Sequence, residues 1–218
     1  MFSPQLASTI NDELRWREAE LALAKLQLQR SMGDVVLFRF AYRCFAAMTY
    51  AHFEAFTKNV IAQSLKDIFD SGVRWSKCTK IIRESLFASG LRAKLATFSN
   101  SDLTAIGSSP ICLIDSVEAP SLDIILECSN MNPTNFYWAL SSVGLDERKF
   151  YFARGDVGHL TSLRHRCAHG EKLTFDATKT VNELARDMYG LQSRILYLMH
   201  FLAVELLDHF TAKAFEEA

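Results

Sequence analysis

This chain predicts an all-α fold, on three observations. Gly and Pro are sparse, at 9 and 4 of 218 residues. Hydrophobic residues make up 49% of the chain and include 16 Phe. The apolar positions recur at helical spacing rather than in alternation. Few breakers mean long uninterrupted elements, and this much hydrophobic content excludes a disordered chain. A chain of 218 residues buries one good-sized core, so a single domain over residues 1–218 is expected.

The elements follow in order. Leu6 to Gln29 reads as a charged amphipathic surface helix, with Leu14, Leu21 and Leu28 in register and Gly33 closing it. Asp34 to Asp70 is the longest element and the expected central helix. Phe38, Tyr42, Phe45, Phe53, Phe56, Val60 and Ile61 form its aromatic seam, and Ser71-Gly72 ends it. Lys77 to Phe98 has a weaker helical pattern broken at Ser89-Gly90, and Ser99 to Pro120 carries the Ser, Gly and Pro punctuation of a loop-rich insertion. Ile124 to Cys128 is too short for periodicity to separate strand from helix. Asn132-Pro133 supplies an N-cap and a first-turn proline for a helix over Pro133 to Val143, with Gly144 as its stop. Asp146 to Arg154 is expected as an exposed connection, and Asp156 as the cap of a helix running to His169 with Gly170 at its left-handed end. From Ala177 to Ala214, Val181, Leu184, Met188, Leu191, Ile195, Leu198 and Leu202 repeat at three and four residue steps, the seam of a bundle's main helix or of a dimer face.

Composition narrows the function classes. The five cysteines, Cys44, Cys78, Cys112, Cys128 and Cys167, are scattered without a CxxC pair, which supports neither a disulfide framework nor a zinc knuckle and fits reduced thiols. Asn11, Asp12, Glu13 and Arg15 arrive before any apolar run of a secretory leader, and the longest apolar run, near Ile195 to Leu207, contains His200 and Glu205. A soluble, cytoplasmic protein without membrane contact is expected. A formal charge of −1 argues against broad coating of nucleic acid, yet Arg148, Lys149, Arg154, Arg164, Arg166 and Lys172 crowd one stretch, where any RNA contact is expected to focus.

That stretch contains Leu163-Arg164-His165-Arg166-Cys167-Ala168-His169-Gly170-Glu171. At 100° per residue Arg164, His165 and His169 fall at roughly 0°, 100° and 140°, while Leu160, Leu163 and Cys167 cluster at roughly 260° to 320°. One face is built for burial, and the other offers a fixed cation with two imidazoles. Imidazole exchanges protons near neutral pH and guanidinium suits a phosphate gaining charge, so phosphodiester chemistry is the natural use. An arginine followed four to six residues later by a histidine also occurs as Arg154 to His159, across Gly155 and Gly158, and as Arg194 to His200, inside the leucine seam. Arg164 to His169 alone combines a polar next residue, a rigid helix and a glycine stop.

Asn130-Met131-Asn132-Pro133 through Gly144-Leu145, followed by the Arg164 to Glu171 segment, resembles the C-terminal half of the HEPN superfamily, specifically its bacterial MAE-type HEPN-like nucleases. Ala51-His52-Phe53-Glu54-Ala55-Phe56 is similar to the acidic-aromatic signature on an earlier helix of that group. The family commonly has Asn after the motif arginine; His165 stands there in this chain, and its own role stays open. The resemblance implies an up-and-down helical bundle that acts as a homodimeric, metal-independent RNase. It further implies the toxic half of a toxin–antitoxin or phage-defence module, with an antitoxin or neighbouring defence protein as partner. Arg164 and His169 are then the catalytic residues, with His165, Glu54 and Arg166 as supporting or substrate-binding residues and no cofactor or metal. A single motif histidine per helix means that a two-fold dimer would supply both the acid and the base.

Each residue also has a plainer use. Arg164 would serve equally in an ion pair with Glu54 or Glu171, His169 as a cap on its helix end, and Glu54 as a solvent-facing charge. A metal on His165 and His169 lacks a third ligand nearby, Arg166 standing where an HExxH helix has its glutamate. Cys167 lies on the apolar side, and His200 and His209 read as core or surface histidines. Tyr137 and Trp138 have rings for base stacking, although a helical aromatic stripe is more often core. A non-catalytic module binding nucleotide, RNA or protein is the alternative to the nuclease.

Overall fold

A computed structural model of the protein describes residues 4–73, 77–86, 123–128, 130–173, 175 and 178–216. The expected break at Ser89-Gly90 and the loop-rich insertion over 99–120 lie outside the described residues. Among the described residues there is no strand, only an isolated bridge between Cys78 and Glu216. None of the helices described is long and apolar enough to cross a membrane.

Helix α1 (Pro4–Arg30) buries Leu6, Ile10, Leu14, Leu21 and Leu28 along one side. A 3-10 turn, Ser31–Gly33, leads to Asp34, whose extended backbone and carboxylate cap the next helix by accepting from the Val36 and Leu37 N–H groups at 2.8 and 3.1 Å. Helix α2 (Val35–Asp70) is about 54 Å long at 1.5 Å per residue. It is central because its Phe38, Phe45, Tyr50, Phe53 and Phe56 are all buried, and it packs against every other named helix. Residues 80–86 are helical and send Ile82 and Leu86 into the core.

Short α3 (Asp123–Leu126) resolves the ambiguous apolar run as helix. Helix α4 (Pro133–Ser142) starts on the Asn132 side chain, which accepts from the Asn135 N–H at 2.9 Å, and stops at Gly144, φ +84°. A Cβ at Gly144 would stand 3.1 Å from Ile82 Cδ1 and 3.2 Å from His209 Nε2. The left-handed backbone and the tight neighbours both require glycine there.

The stretch taken for an exposed connection is a 3-10 helix, Glu147–Ala153, that buries Phe150 and Ala153. It runs directly into helix α5 (Arg154–Ala168), so the N-terminal amides of α5 continue a helical path and no side-chain cap forms. Asp156, expected as that cap, sits in the first turn and instead accepts a forked pair of bonds from Arg194, 2.9 Å each. Helix α6 (Val181–Thr211) is shorter at both ends than its apolar seam suggested, because Thr180 and Glu183 form a capping box that fixes its start. Its Met188, Leu191, Ile195, Leu198 and Leu202 are buried within the chain's own core. The seam is therefore the bundle's interior, not a face left over for a partner.

Candidate active site

Helix α5 is anchored by Val157, Leu160 and Leu163, all buried, against α2 and α6. Its far end closes in a Schellman arrangement. The Glu171 N–H donates to the Arg166 carbonyl at 3.0 Å and the Gly170 N–H to the Cys167 carbonyl at 3.3 Å, with Gly170 at φ +68°. His169 is the last residue before that turn, and its side chain is exposed at the open helix end. The ring of His165, one turn back, lies 4.2 Å from the His169 ring, tilted by 52°. The sequence thus places two imidazoles in contact at a rigid, solvent-reachable corner.

Arg164 lies at the edge of the buried face and turns towards α2. Its guanidinium carbon sits 5.3 Å from the centre of the Tyr50 ring. Among the described residues no carboxylate comes within 4 Å of it, and none accepts a hydrogen bond from it. Tyr50 is buried, and its hydroxyl accepts from the Met131 N–H at 2.7 Å. Burial pushes the phenol up to about 12, and the charge of Glu54 adds to this against the opposing pull of the Met131 amide and Arg164. The ring under the cation is a neutral phenol, which offers an electron-rich face without neutralising the charge above it.

The supporting residues divide. Glu54, one turn beyond Tyr50 on α2, pairs with Lys58 at 3.0 Å rather than with Arg164, and Lys58 donates to the Cys128 carbonyl at 2.6 Å. Arg166 reaches the Glu171 carboxylate at 3.5 Å and the Lys172 carbonyl at 3.3 Å, so it fastens the chain leaving the motif. Arg43 on α2 donates to the Glu171 carbonyl from the other side. Cys167 is half-buried, and desolvation pushes its thiol up despite Arg43 and Arg166, the opposite of what a nucleophile needs. Tyr50 and Arg43 escaped the sequence reading. The acidic-aromatic segment on α2 starts at Ala51, one residue after the Tyr50 ring that meets Arg164.

The other arginine–histidine pairs are brought to different uses. Arg194 is bound by Asp156, and His200 by Glu18. Arg154 and His159 line separate cavities, the first with Tyr137 and Tyr151 and the second with Arg186 and Arg194. His209 is largely buried beside Gly144, and desolvation lowers its basicity. Among the described residues no group of three or more His, Cys, Asp or Glu side chains is placed to hold a metal ion.

A family model described as HEPN_MAE_28990-like HEPN matches residues 6–213. Among curated proteins and among solved structures, none matches this chain. The HEPN domain is a fold of nucleases and nucleotide-binding modules. With that match running from the first turns of α1 to the end of α6, the protein belongs to the HEPN superfamily, in its MAE type.

Proposed function

We propose that the protein is a metal-independent endoribonuclease in which Arg164 and His169 act at a cleft between two copies of the chain. The observation that carries this reading is a guanidinium held over the Tyr50 ring without a carboxylate partner among the described residues, on the same helix end as the exposed His165–His169 pair. An arginine kept for structure is normally met by a carboxylate; one parked on a ring keeps its charge for an outside anion.

The chemistry follows from what RNA supplies. The 2′-oxygen next to the scissile phosphate attacks phosphorus, the P–O5′ bond breaks, and the products are a 2′,3′-cyclic phosphate and a 5′-hydroxyl. One group takes the proton from the 2′-oxygen, another gives a proton to the departing 5′-oxygen, and a cation offsets the charge gathering on the phosphorane. Arg164 is that cation. His169 and the equivalent histidine of a second copy are the proton carriers, and His165 holds the His169 ring by contact. Such an enzyme spares DNA, which has no 2′-hydroxyl, and keeps working in EDTA. In a cell it acts as a toxin or defence effector, restrained by a partner protein.

His169→Ala and Arg164→Ala are each expected to lower cleavage at least about 100-fold, the scale of a positioned acid–base or a transition-state donor. Both side chains sit at or near the surface, so melting temperature should stay close to that of the parent. End-group analysis of the cut RNA and thermal melts of both variants check this. Undiminished cutting by two folded variants would overturn the assignment, and saturable RNA binding without turnover in the parent would favour a non-catalytic module.

A further inference from the structure

Helix α5 carries a row of residues that leads from the proposed chemistry at His165 and His169 back to Arg154, a residue that chemistry leaves unused. At 100° per residue Arg154, Gly158, Thr161, His165 and His169 fall within roughly 80° of one another, and Arg154 lies about 16 Å along the axis from His165. One side of the helix therefore runs from Arg154 straight to the motif. The first turn of α4 forms the facing wall, since a Cβ at Gly158 would stand 3.7 Å from Pro133 Cγ. At the Arg154 end this row opens into a cavity of about 450 Å³ lined by Pro133, Thr134, Tyr137, Trp138, Tyr151 and Arg154, among others.

The lining has two notable properties. The first is aromatic. Tyr137 and Tyr151 meet edge to face at 5.2 Å, and Tyr151 is 49% exposed. The Trp138 indole N–H is spent on the Ser85 carbonyl at 3.2 Å and the Tyr151 hydroxyl on Glu147 at 2.8 Å, which also engages the carboxylate of the cavity wall. The Tyr137 hydroxyl, buried, has no hydrogen-bond partner among the described residues. The second is charge. Arg148 is held by Asp146 at 2.8 Å, Lys149 by Glu205 at 2.6 Å and Arg166 by Glu171 at 3.5 Å. Among the described residues Arg154, like Arg164, has no carboxylate within 4 Å.

Open rings beside an unneutralised guanidinium are the means by which proteins hold an unpaired nucleotide, the base on a ring face and the phosphate on the cation. Bases inside an RNA duplex are already stacked and paired, and cannot enter such a cavity. We infer that the cavity between α4 and the start of α5 is a nucleotide subsite, which takes the base of an unpaired ribonucleotide onto its tyrosine rings and the phosphate onto Arg154, from a strand lying along α5. This rests on the nuclease reading for what happens at His169, but not for binding itself.

The test uses full-length His169→Ala protein and a fluorescein-labelled RNA, presented either as an unpaired strand or annealed to its complement, followed by anisotropy. Tyr151→Ala is expected to weaken unpaired-strand binding about 10-fold, within the range for loss of one base-stacking ring, whereas Tyr151→Phe stays within about two-fold of the parent. Arg154→Ala is expected to weaken binding and to reduce the dependence of log affinity on log salt by about one ion. Unpaired-strand affinities within two-fold of the parent for both alanine variants would overturn the inference, as would equally tight binding of the duplex. Cleavage assays in the otherwise unaltered protein separate the two readings. Unpaired-strand binding through Tyr151 without any cutting removes the nuclease and keeps the subsite; full cutting with Tyr151→Ala binding unchanged removes the subsite and keeps the nuclease.

Discussion

A guanidinium resting on a phenol ring and a guanidinium locked to a carboxylate differ in what they leave for a ligand. At Arg164 the Tyr50 ring supplies attraction worth about 0.5–2 kcal/mol while the net positive charge survives. Two variants separate the ring from its hydroxyl. Tyr50→Phe keeps the surface under Arg164 and removes the acceptor of the Met131 N–H, so it is expected to lower stability by about 1–3 kcal/mol and leave kcat within a few-fold. Tyr50→Leu removes the surface as well, and kcat is expected to fall a further 10-fold as the cation loses its bed. Cleavage rates alongside thermal melts check this, and equal kcat in the two variants would mean that the ring does not position Arg164. The residue types of the motif were legible because their chemistry is local: a cation and two imidazoles on one helical turn. The partner of the cation was not legible, because a ring on a distant helix leaves no spacing signal. A carboxylate attracts attention in a sequence, and Glu54 drew it, yet Glu54 is satisfied by Lys58 within its own helix.

Helix boundaries were readable where a single side chain or a positive φ creates them. Asn132 caps α4, Gly144 stops it and Gly170 adopts the left-handed backbone expected of it, whereas the apolar seam of α6 gives no sign of the Thr180 cap, which lies three residues inside the expected start at Ala177. Asp156 had the right residue type in the wrong circumstance, since a preceding 3-10 helix removed the need for a cap. The seam between α1 and α2 was also hidden. Arg17, on a helix read as a charged surface element, is 3% exposed and donates to Glu13 at 3.1 Å, with Asn59 donating to the same carboxylate at 3.2 Å. Beside it His52 is buried, its Nδ1 3.4 Å from Arg17 and its Nε2 3.2 Å from Glu20. Burial, then the Arg17 charge, lowers the basicity of His52 below the ordinary 6.5, with Glu20 opposing. The folded chain consequently binds fewer protons here than the unfolded one once pH falls to about 6.5. Folding stability is full above neutrality and declines as pH drops through 6.5 towards the lower folded value, by at most about 1.4 kcal/mol per pH unit for each such group. His209 acts in the same direction through its own burial. Melting curves at pH 7.5 and 5.5 are expected to show a loss that shrinks in His52→Gln; a loss of unchanged size in that variant would assign it to other groups.

One continuous hydrophobic cluster draws on α1, α2, α4, α5 and α6, and the leucine seam of α6 is used up inside it. A dimer must therefore meet through another surface. The chain offers an apolar groove of about 440 Å³ where the end of α1 faces the start of α2, lined by Ala24, Leu37, Phe40, Ala41, Cys44 and Met48, among others. Leu37 and Phe40 are 56% and 66% exposed, and Val36 beside them 76%. Contiguous apolar surface of this kind is uncommon on a chain that stays alone. The same stretch of α2 carries Arg43, which faces away from the groove at roughly 120° round the helix and holds the Glu171 carbonyl just past His169. The two-fold dimer proposed above needs such a surface on each copy, and this groove is the candidate for it. Phe40 is exposed enough for a charge to be tolerated by the fold, so Phe40→Asp is expected to melt like the parent yet sediment as a monomer. Its cleavage should fall at least about 10-fold at a protein concentration where the parent is dimeric, and recover as the concentration is raised. A Phe40→Asp chain that sediments as a dimer would move the interface elsewhere, and a monomer cutting at full specific activity would leave the second copy without a part in the chemistry.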